Sequence, residues 1–189
     1  SKERDSTSIY ASGRSLRSAV NEAVQTGLKA NGELGEPSLK VDALSRVNVT
    51  REELRYAKTY APGMVVEVAR RQRAQGLLAG SYEVFGPGDA AESVILQNSR
   101  GKLFAFRPSR LKPQGEHDPL RLFEKQTLEL HAGERIRWTE TDHKRGLLNA
   151  DQARILVVDA DGIAVRTSSG LEQRLGKDDP MLKRLDLAY

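Results

Sequence analysis

The spacing of hydrophobic positions changes once along the chain. Over "SLRSAVNEAVQTGLKAN", Ser15 to Asn31, Leu16, Ala19, Val20, Ala23, Val24 and Leu28 recur at spacings of one, three and four, which lines one face of a helix. Ser12 or Ser15 can cap its start, and Gly32 and Gly35 stop it. After Pro37, "LKVDALSRVNVT" alternates weakly, and Thr50 with Glu53 has the form of a capping box opening a short helix over "REELRYAKTY", before Pro62. From Gly63 the period falls to two. "MVVEVA", "SYEVFG", "SVILQNS" and "KLFAFRP" are short alternating runs separated by Gly, Pro, Asp and Asn. "EKQTLELHAGERIRWTET" and "QARILVVDADGIAVRTSSGLEQRLG" do the same again, with "DADG" and "SSG" as hairpin turns. The pattern predicts an α+β chain, helical at its start and built of small antiparallel sheets afterwards.

The second set of strands repeats the first. At an offset of 70 residues, "PGMVVEVARRQRAQGLLAG" and "AGERIRWTETDHKRGLLNA" align Gly63 with Gly133 and Gly76-Leu77-Leu78 with Gly146-Leu147-Leu148, without a gap. Each copy runs as glycine, strand, charged loop, Gly-Leu-Leu. Modules of about 50 residues built of short strands suit a five-stranded, partly closed barrel of the SH3-like kind, here in two copies.

Composition narrows the function classes. The 189 residues are 38% hydrophobic and 30% charged, which is an ordinary globular balance with enough apolar residues for a core. The net charge of +4 is a mild basic bias, compatible with a polyanionic partner and equally with a few extra surface arginines. The absence of cysteine leaves neither a disulfide framework nor thiolate zinc chemistry and suits a reducing compartment. No stretch approaches membrane-spanning length and "SKERDSTS" has no signal-peptide apolar region, so a cytoplasmic protein is expected. A first residue of Ser rather than Met fits a trimmed chain.

Catalytic signatures are missing. "GLLAGSYEVFGPGD" lacks the lysine and following helix of a phosphate loop. His117, His131 and His143 have no partners at metal-ligand spacing and are expected at the surface. The acidic runs "TETD" and "KDDP" read as turns. Tyr10, Tyr56, Tyr60, Tyr82 and Tyr189 have no histidines close by to make a nucleophilic phenol. Basic loops are the remaining chemistry: Arg70, Arg71 and Arg73 in one, Lys144 and Arg145 in its counterpart, candidates for phosphate contacts. In "RIRWT", alternation puts Arg135, Arg137 and Thr139 on one face and Ile136 with Trp138 on the other. Core packing of Trp138 and stacking of its ring on a base are both open.

"GERIRWTETDHKRGLLNAD", followed by a hairpin and "DDPMLKRLDLAY", resembles the SH3-like 2B insertion of RecD-type superfamily 1B helicases. "YASGRSLRSAVNEAVQTGLKANGELG" resembles the part of the second RecA-like domain that precedes it. "LSRVNVTREELRYAKTYAPGMVVEV" resembles the approach to the insertion in MobF-type conjugative relaxase-helicases of the F family, in their central, degenerate helicase region. The resemblance implies a partial RecA-like 2A segment over 1–48, a first SH3-like module with a short leading helix over 49–125, and a second, 2B-like module over 126–189. It also implies a translocation signal of the pattern Gly-[Glu/Asp]-Arg-[Leu/Met]-Arg-[Val/Phe]-Thr. Gly133, Glu134, Arg135, Arg137 and Thr139 fit, while Ile136 and Trp138 depart from it with other apolar residues. The implied partners are single-stranded DNA, the type IV secretion coupling protein and neighbouring helicase domains, in the cytoplasm of a bacterial donor cell with transfer to the recipient. The alternative is a DNA-guiding accessory 2B domain of an active ATP-dependent helicase. The family's catalytic residues have no matching positions here, so no catalysis and no cofactor are expected of this chain, ATP and magnesium belonging to other regions of the parent.

Overall fold

The computed structural model describes residues 14–111 and 120–189; Tyr10, Ser12 and His117 lie outside them. The elements are α1 (Arg14–Ala30), β1 (Gly35–Arg46), β2 (Val65–Val68), β3 (Gly80–Pro87), β4 (Val94–Asn98), β5 (Leu103–Phe106), β6 (Leu120–Ala132), β7 (Arg135–Trp138), β8 (Gln152–Asp159), β9 (Gly162–Thr167), β10 (Glu172–Gly176) and β11 (Leu185–Leu187). The chain is thus mostly antiparallel sheet with one helix. Helix α1 closes with a Schellman pair, the Gly32 amide donating to the Lys29 carbonyl at 3.0 Å and the Glu33 amide to that of Leu28 at 2.9 Å. Val20, Val24 and Leu28 are half-buried, whereas Leu16, Ala19 and Ala23 are exposed, so the described residues cover only part of the predicted apolar face.

The short helix expected over "REELRYAKTY" is instead two 3₁₀ turns, Glu53–Arg55 and Ala57–Thr59. Its capping box does form: the Thr50 amide donates to Glu53 Oε2 at 2.7 Å and the Glu53 amide to Thr50 Oγ1 at 3.2 Å. Only one turn follows, because Tyr56 is extended at φ −105 and ψ 131. That break lets both Leu54 and Tyr60 enter the core, with the Tyr60 hydroxyl donating to the Leu54 carbonyl at 2.6 Å. Burial of two large side chains outweighs a few residues of helix propensity.

The chain divides into two compact units. An inserted unit, Leu44–Gln126, lies in sequence inside a host unit formed by the described residues up to Ala43 together with Thr127–Tyr189. The inserted unit carries the strand order β6-β2-β3-β4-β5, around Val66, Leu77, Val84, Leu96, Phe106 and Leu122. Tyr60 meets Phe106 edge to face with centroids 5.4 Å apart. The host unit carries the order β11-β7-β8-β9-β10, around Leu130, Ile136, Trp138, Leu147, Ile163 and Leu175, and holds α1 by polar bonds described below.

The two orders are one plan executed twice. Each third strand of the plan is bulged, between Val84 and Gly86 in one unit and between Ile155 and Val157 in the other. Each fifth strand is followed by a 3₁₀ turn beginning with proline, Pro108–Arg110 and Pro180–Lys183, before the strand that returns to pair with β2 or β7. The starts of β2 and β7 are anchored alike. The Gly63 amide donates to the Val84 carbonyl and the Gly133 amide to that of Ile155, both at 2.8 Å.

Candidate functional site

Strand β7 is where the sequence concentrated its chemistry, and its alternation survives folding. Ile136 and Trp138 are buried in the host core, Trp138 at 1% exposure, which settles core packing over base stacking. Arg135 and Arg137 are half-buried on the opposite face and Thr139 is exposed. Both edges of the strand are occupied. β8 pairs on one side and β11 on the other, and the Ala188 amide donates to the Arg135 carbonyl at 2.9 Å. Arg137 sits opposite Asp186 on β11, its Nη2 3.9 Å from Oδ2. The candidate surface therefore consists of side chains only, since no backbone edge is free for strand addition.

The two residues that precede the strand serve the fold. Gly133 has φ +93, in the left-handed region, and a Cβ there would sit 3.3 Å from the Glu33 carbonyl oxygen. Glu134 is fully buried. Its Oε2 accepts the His131 amide at 2.8 Å, and its Oε1 accepts Gln25 Nε2 at 2.7 Å and the Tyr189 hydroxyl at 2.6 Å. One carboxyl group thereby gathers α1, the end of β6, the start of β7 and residue 189. Gln25 also donates to the Glu129 carbonyl at 2.6 Å, and Asn21 to that of Leu187 at 3.4 Å.

His131, expected at the surface, is buried at 1% exposure. Its Nδ1 faces the Gly35 carbonyl oxygen at 3.2 Å, and Glu36 and Glu129 each approach the ring to 3.7 Å. Burial of a polar ring at the turn between β6 and β7 follows from those partners, of which Gly35 and Glu36 lie far away in sequence. His143 is exposed, as expected. Beside His131, Lys29 donates to Glu129 at 2.6 Å and Ser38 at 2.8 Å, which pulls the Glu129 carboxyl down to about 2 from 4.5. A carboxyl depressed by folding stabilises fully above its unfolded value and loses that contribution as pH falls through the folded one. Thermal melting should therefore fall between pH 4.5 and about 2 more steeply in the wild-type chain than in Glu129→Gln.

The two Gly-Leu-Leu turns have one geometry. Gln72 and Leu77 form an antiparallel bridge, and so do Asp142 and Leu147. The Gln72 amide donates to the Leu77 carbonyl at 2.8 Å, and the Asp142 amide to that of Leu147 at 2.7 Å. Gly76 and Gly146 each take φ +67, which a side chain would strain. In both turns the first leucine, Leu77 or Leu147, is buried and the second, Leu78 or Leu148, is exposed.

Charge is distributed differently over this shared frame. Arg70, Arg71 and Arg73 are all exposed on the first turn, and Lys144 is exposed on the second. Arg145 is engaged internally: Nη1 and Nη2 reach Asp179 at 2.5 and 3.0 Å and Nε reaches Asp142 at 2.7 Å. These contacts raise the arginine's pKa, Asp179 contributing most. Arg145 thus ties the turn to the 3₁₀ segment after β10, and sequence separation of 34 residues hid its partner. Glu67, at the position of Arg137 in the other copy, is opposite Arg121, whose Nη2 lies 3.1 Å from its Oε2. The two units thus use the same cross-strand pair with the charges exchanged.

Among the described residues no cluster of His, Cys, Asp and Glu is placed to hold a metal ion, and no helix is long and apolar enough to cross a membrane. No curated protein matches the chain. The family model described as "DNA relaxase TraI 2B/2B-like domain" matches residues 43–130. That span takes in the whole inserted unit, with its capped 3₁₀ turns, its four-stranded meander and the return strand β6. Residues 43–130, the stretch that holds the inserted unit, are thus similar to the 2B/2B-like domain of the DNA relaxase TraI.

Proposed function

We propose that the chain is a part of a conjugative relaxase-helicase that acts as a translocation signal, recruited by the coupling protein of a type IV secretion system within a degenerate helicase region that binds single-stranded DNA. On this reading α1 is the remnant of a RecA-like 2A segment, and the two sheets are SH3-like 2B and 2B-like modules. The observation that carries it is the β7 strand. Seven residues, Gly133 to Thr139, match or conservatively vary a relaxase transport pattern, and folding leaves Arg135, Arg137 and Thr139 directed away from the core. The basic turn residues Arg70, Arg71, Arg73 and Lys144 are the contacts to DNA, with Arg145 holding the second turn in shape. Chemistry belongs to other regions of the parent, so ATP and magnesium act elsewhere and this chain supplies recognition alone.

The test is conjugal transfer by the full relaxase carrying Arg135→Ala and Arg137→Ala. Transfer to recipient cells is expected to fall at least tenfold while the melting temperature of the 189-residue chain stays within a few degrees, since these side chains lie outside the core. Undiminished transfer by a folded variant would reject the signal. The match of residues 43–130 to a 2B family model also supports a second reading, an accessory module guiding DNA for an active helicase. That reading requires oligonucleotide binding with a steep negative dependence on salt together with transfer that survives Arg135→Ala and Arg137→Ala.

A further inference from the structure

The register of the host sheet sets three arginines opposite one another on adjacent strands: Arg135 on β7 faces Arg154 on β8, which faces Arg166 on β9, and Glu172 on β10 completes the row. Each arginine is flanked along its strand by buried residues, Glu134 and Ile136, Ala153 and Ile155, and Val165, so all three project from the face opposite the core. With strands about 4.8 Å apart, the row sets three positive groups along roughly 10 Å. Like charges directly opposite each other destabilise a sheet. The shared plan does not require them, because the corresponding row of the inserted sheet is Val65, Glu83, Gln97 and Leu103. Arg166 bonds Glu172 at 3.0 and 2.6 Å, a solvent-exposed pair that another anion can displace at little cost. No Trp, Tyr or Phe is exposed among the described residues of this unit, so the face offers charge without a stacking platform.

We propose that Arg135, Arg154 and Arg166 form a stripe that holds the phosphate backbone of a single-stranded nucleic acid across the host sheet without reading its bases. The proposal rests on the single-strand-binding reading above and locates a contact that the basic turns do not supply. Phosphates spaced along a chain neutralise a row of guanidinium groups one by one and release counterions as they do. An acidic protein segment is the competing occupant.

The experiment measures binding of a fluorescein-labelled 20-mer of deoxythymidine to the 189-residue chain against salt concentration. It compares wild type, Arg154→Ala/Arg166→Ala, Arg154→Lys/Arg166→Lys and Arg70→Ala/Arg71→Ala/Arg73→Ala. Loss of two single-strand phosphate contacts should reduce the slope of log affinity against log salt by about 1.4, and the lysine pair should restore it. A methylphosphonate 20-mer, whose backbone is uncharged, should bind wild type and the alanine pair equally. An unchanged slope in the alanine pair, with a reduced slope in the turn variant, would overturn the stripe and leave the single-strand reading standing. No binding by the wild-type chain would overturn both. Tight binding of poly-glutamate that depends on Arg154 and Arg166, with the oligonucleotide unaffected by them, would overturn the stripe in favour of an acidic protein partner.

Discussion

Replacing Glu134 by alanine is expected to unfold the host unit rather than to blunt a recognition surface. The substitution removes the shared acceptor of three donors, the buried His131 amide and the half-buried Gln25 Nε2 and Tyr189 hydroxyl. A buried donor left without a partner costs about 1–3 kcal/mol and each half-buried bond lost about 1 kcal/mol, so a loss of about 3–5 kcal/mol is expected. For a unit of this size that lowers the melting temperature by more than about 10 °C. Glutamine is no neutral substitute. Its amide group cannot accept the His131 N–H while its oxygen serves Gln25 and Tyr189, so a loss of about 1–3 kcal/mol is expected. Differential scanning calorimetry of the three chains checks the order wild type, Glu134→Gln, Glu134→Ala. A variant that loses transfer while melting like wild type would instead make Glu134 part of the recognised surface.

Trp138→Ala carries the second large effect. The indole is among the largest fully buried side chains and packs with Ile136, Leu147 and Leu185 in one core. Its removal should cost about 3–5 kcal/mol in lost transfer energy and cavity. Phenylalanine should cost only about 1–2 kcal/mol, because the ring is largely retained and Trp138 Nε1 has no hydrogen-bond partner to leave behind. Equal losses for alanine and phenylalanine in urea denaturation would show that the indole nitrogen matters. Taken with Glu134, this divides the seven-residue pattern into two classes. Gly133, Glu134, Ile136 and Trp138 hold the strand in place, and Arg135, Arg137 and Thr139 are the residues that the proposed reading gives to a partner. On that reading, transport defects at the first four report on folding.

The parts of this arrangement that were legible in sequence are those written in local periodicity. Alternation located the strands from Gly63 onward and sent Ile136 and Trp138 inward, and the spacing of Leu16 to Leu28 located the helix. Glycines at an offset of 70 residues announced the repeated turns. The rest depends on partners distant in the chain. His131 has the same polar character whether it meets water or the Gly35 carbonyl, and nothing near it in sequence distinguishes the two. Glu134 and Arg145 looked like recognition groups because their bonding partners lie 109 and 34 residues away. The capping box at Thr50 was correctly formed yet misleading, since it governs how a helix starts and says nothing of how far it runs. The arginine row was illegible for another reason. Arg135, Arg154 and Arg166 become neighbours only once strand register is set, and a bulge after Ile155 shifts that register by one residue.

The nesting of one unit inside the other has a kinetic consequence. The chain leaves the host unit within β1 and rejoins it within β6, where Asp42 accepts from Thr127 and, further along, the Val47 amide donates to the Leu122 carbonyl. Everything the inserted unit needs lies between Leu44 and Gln126, whereas α1 must wait for Glu129, Glu134 and Leu187, which follow its own residues by 100, 109 and 166 positions. On the ribosome the inserted unit can therefore be complete while the first helix is still without a core to join. Contacts of such long range are also slow to form. Refolding from urea should show two phases, the faster one belonging to the inserted unit that the relaxase family model matches and the slower one to the host unit.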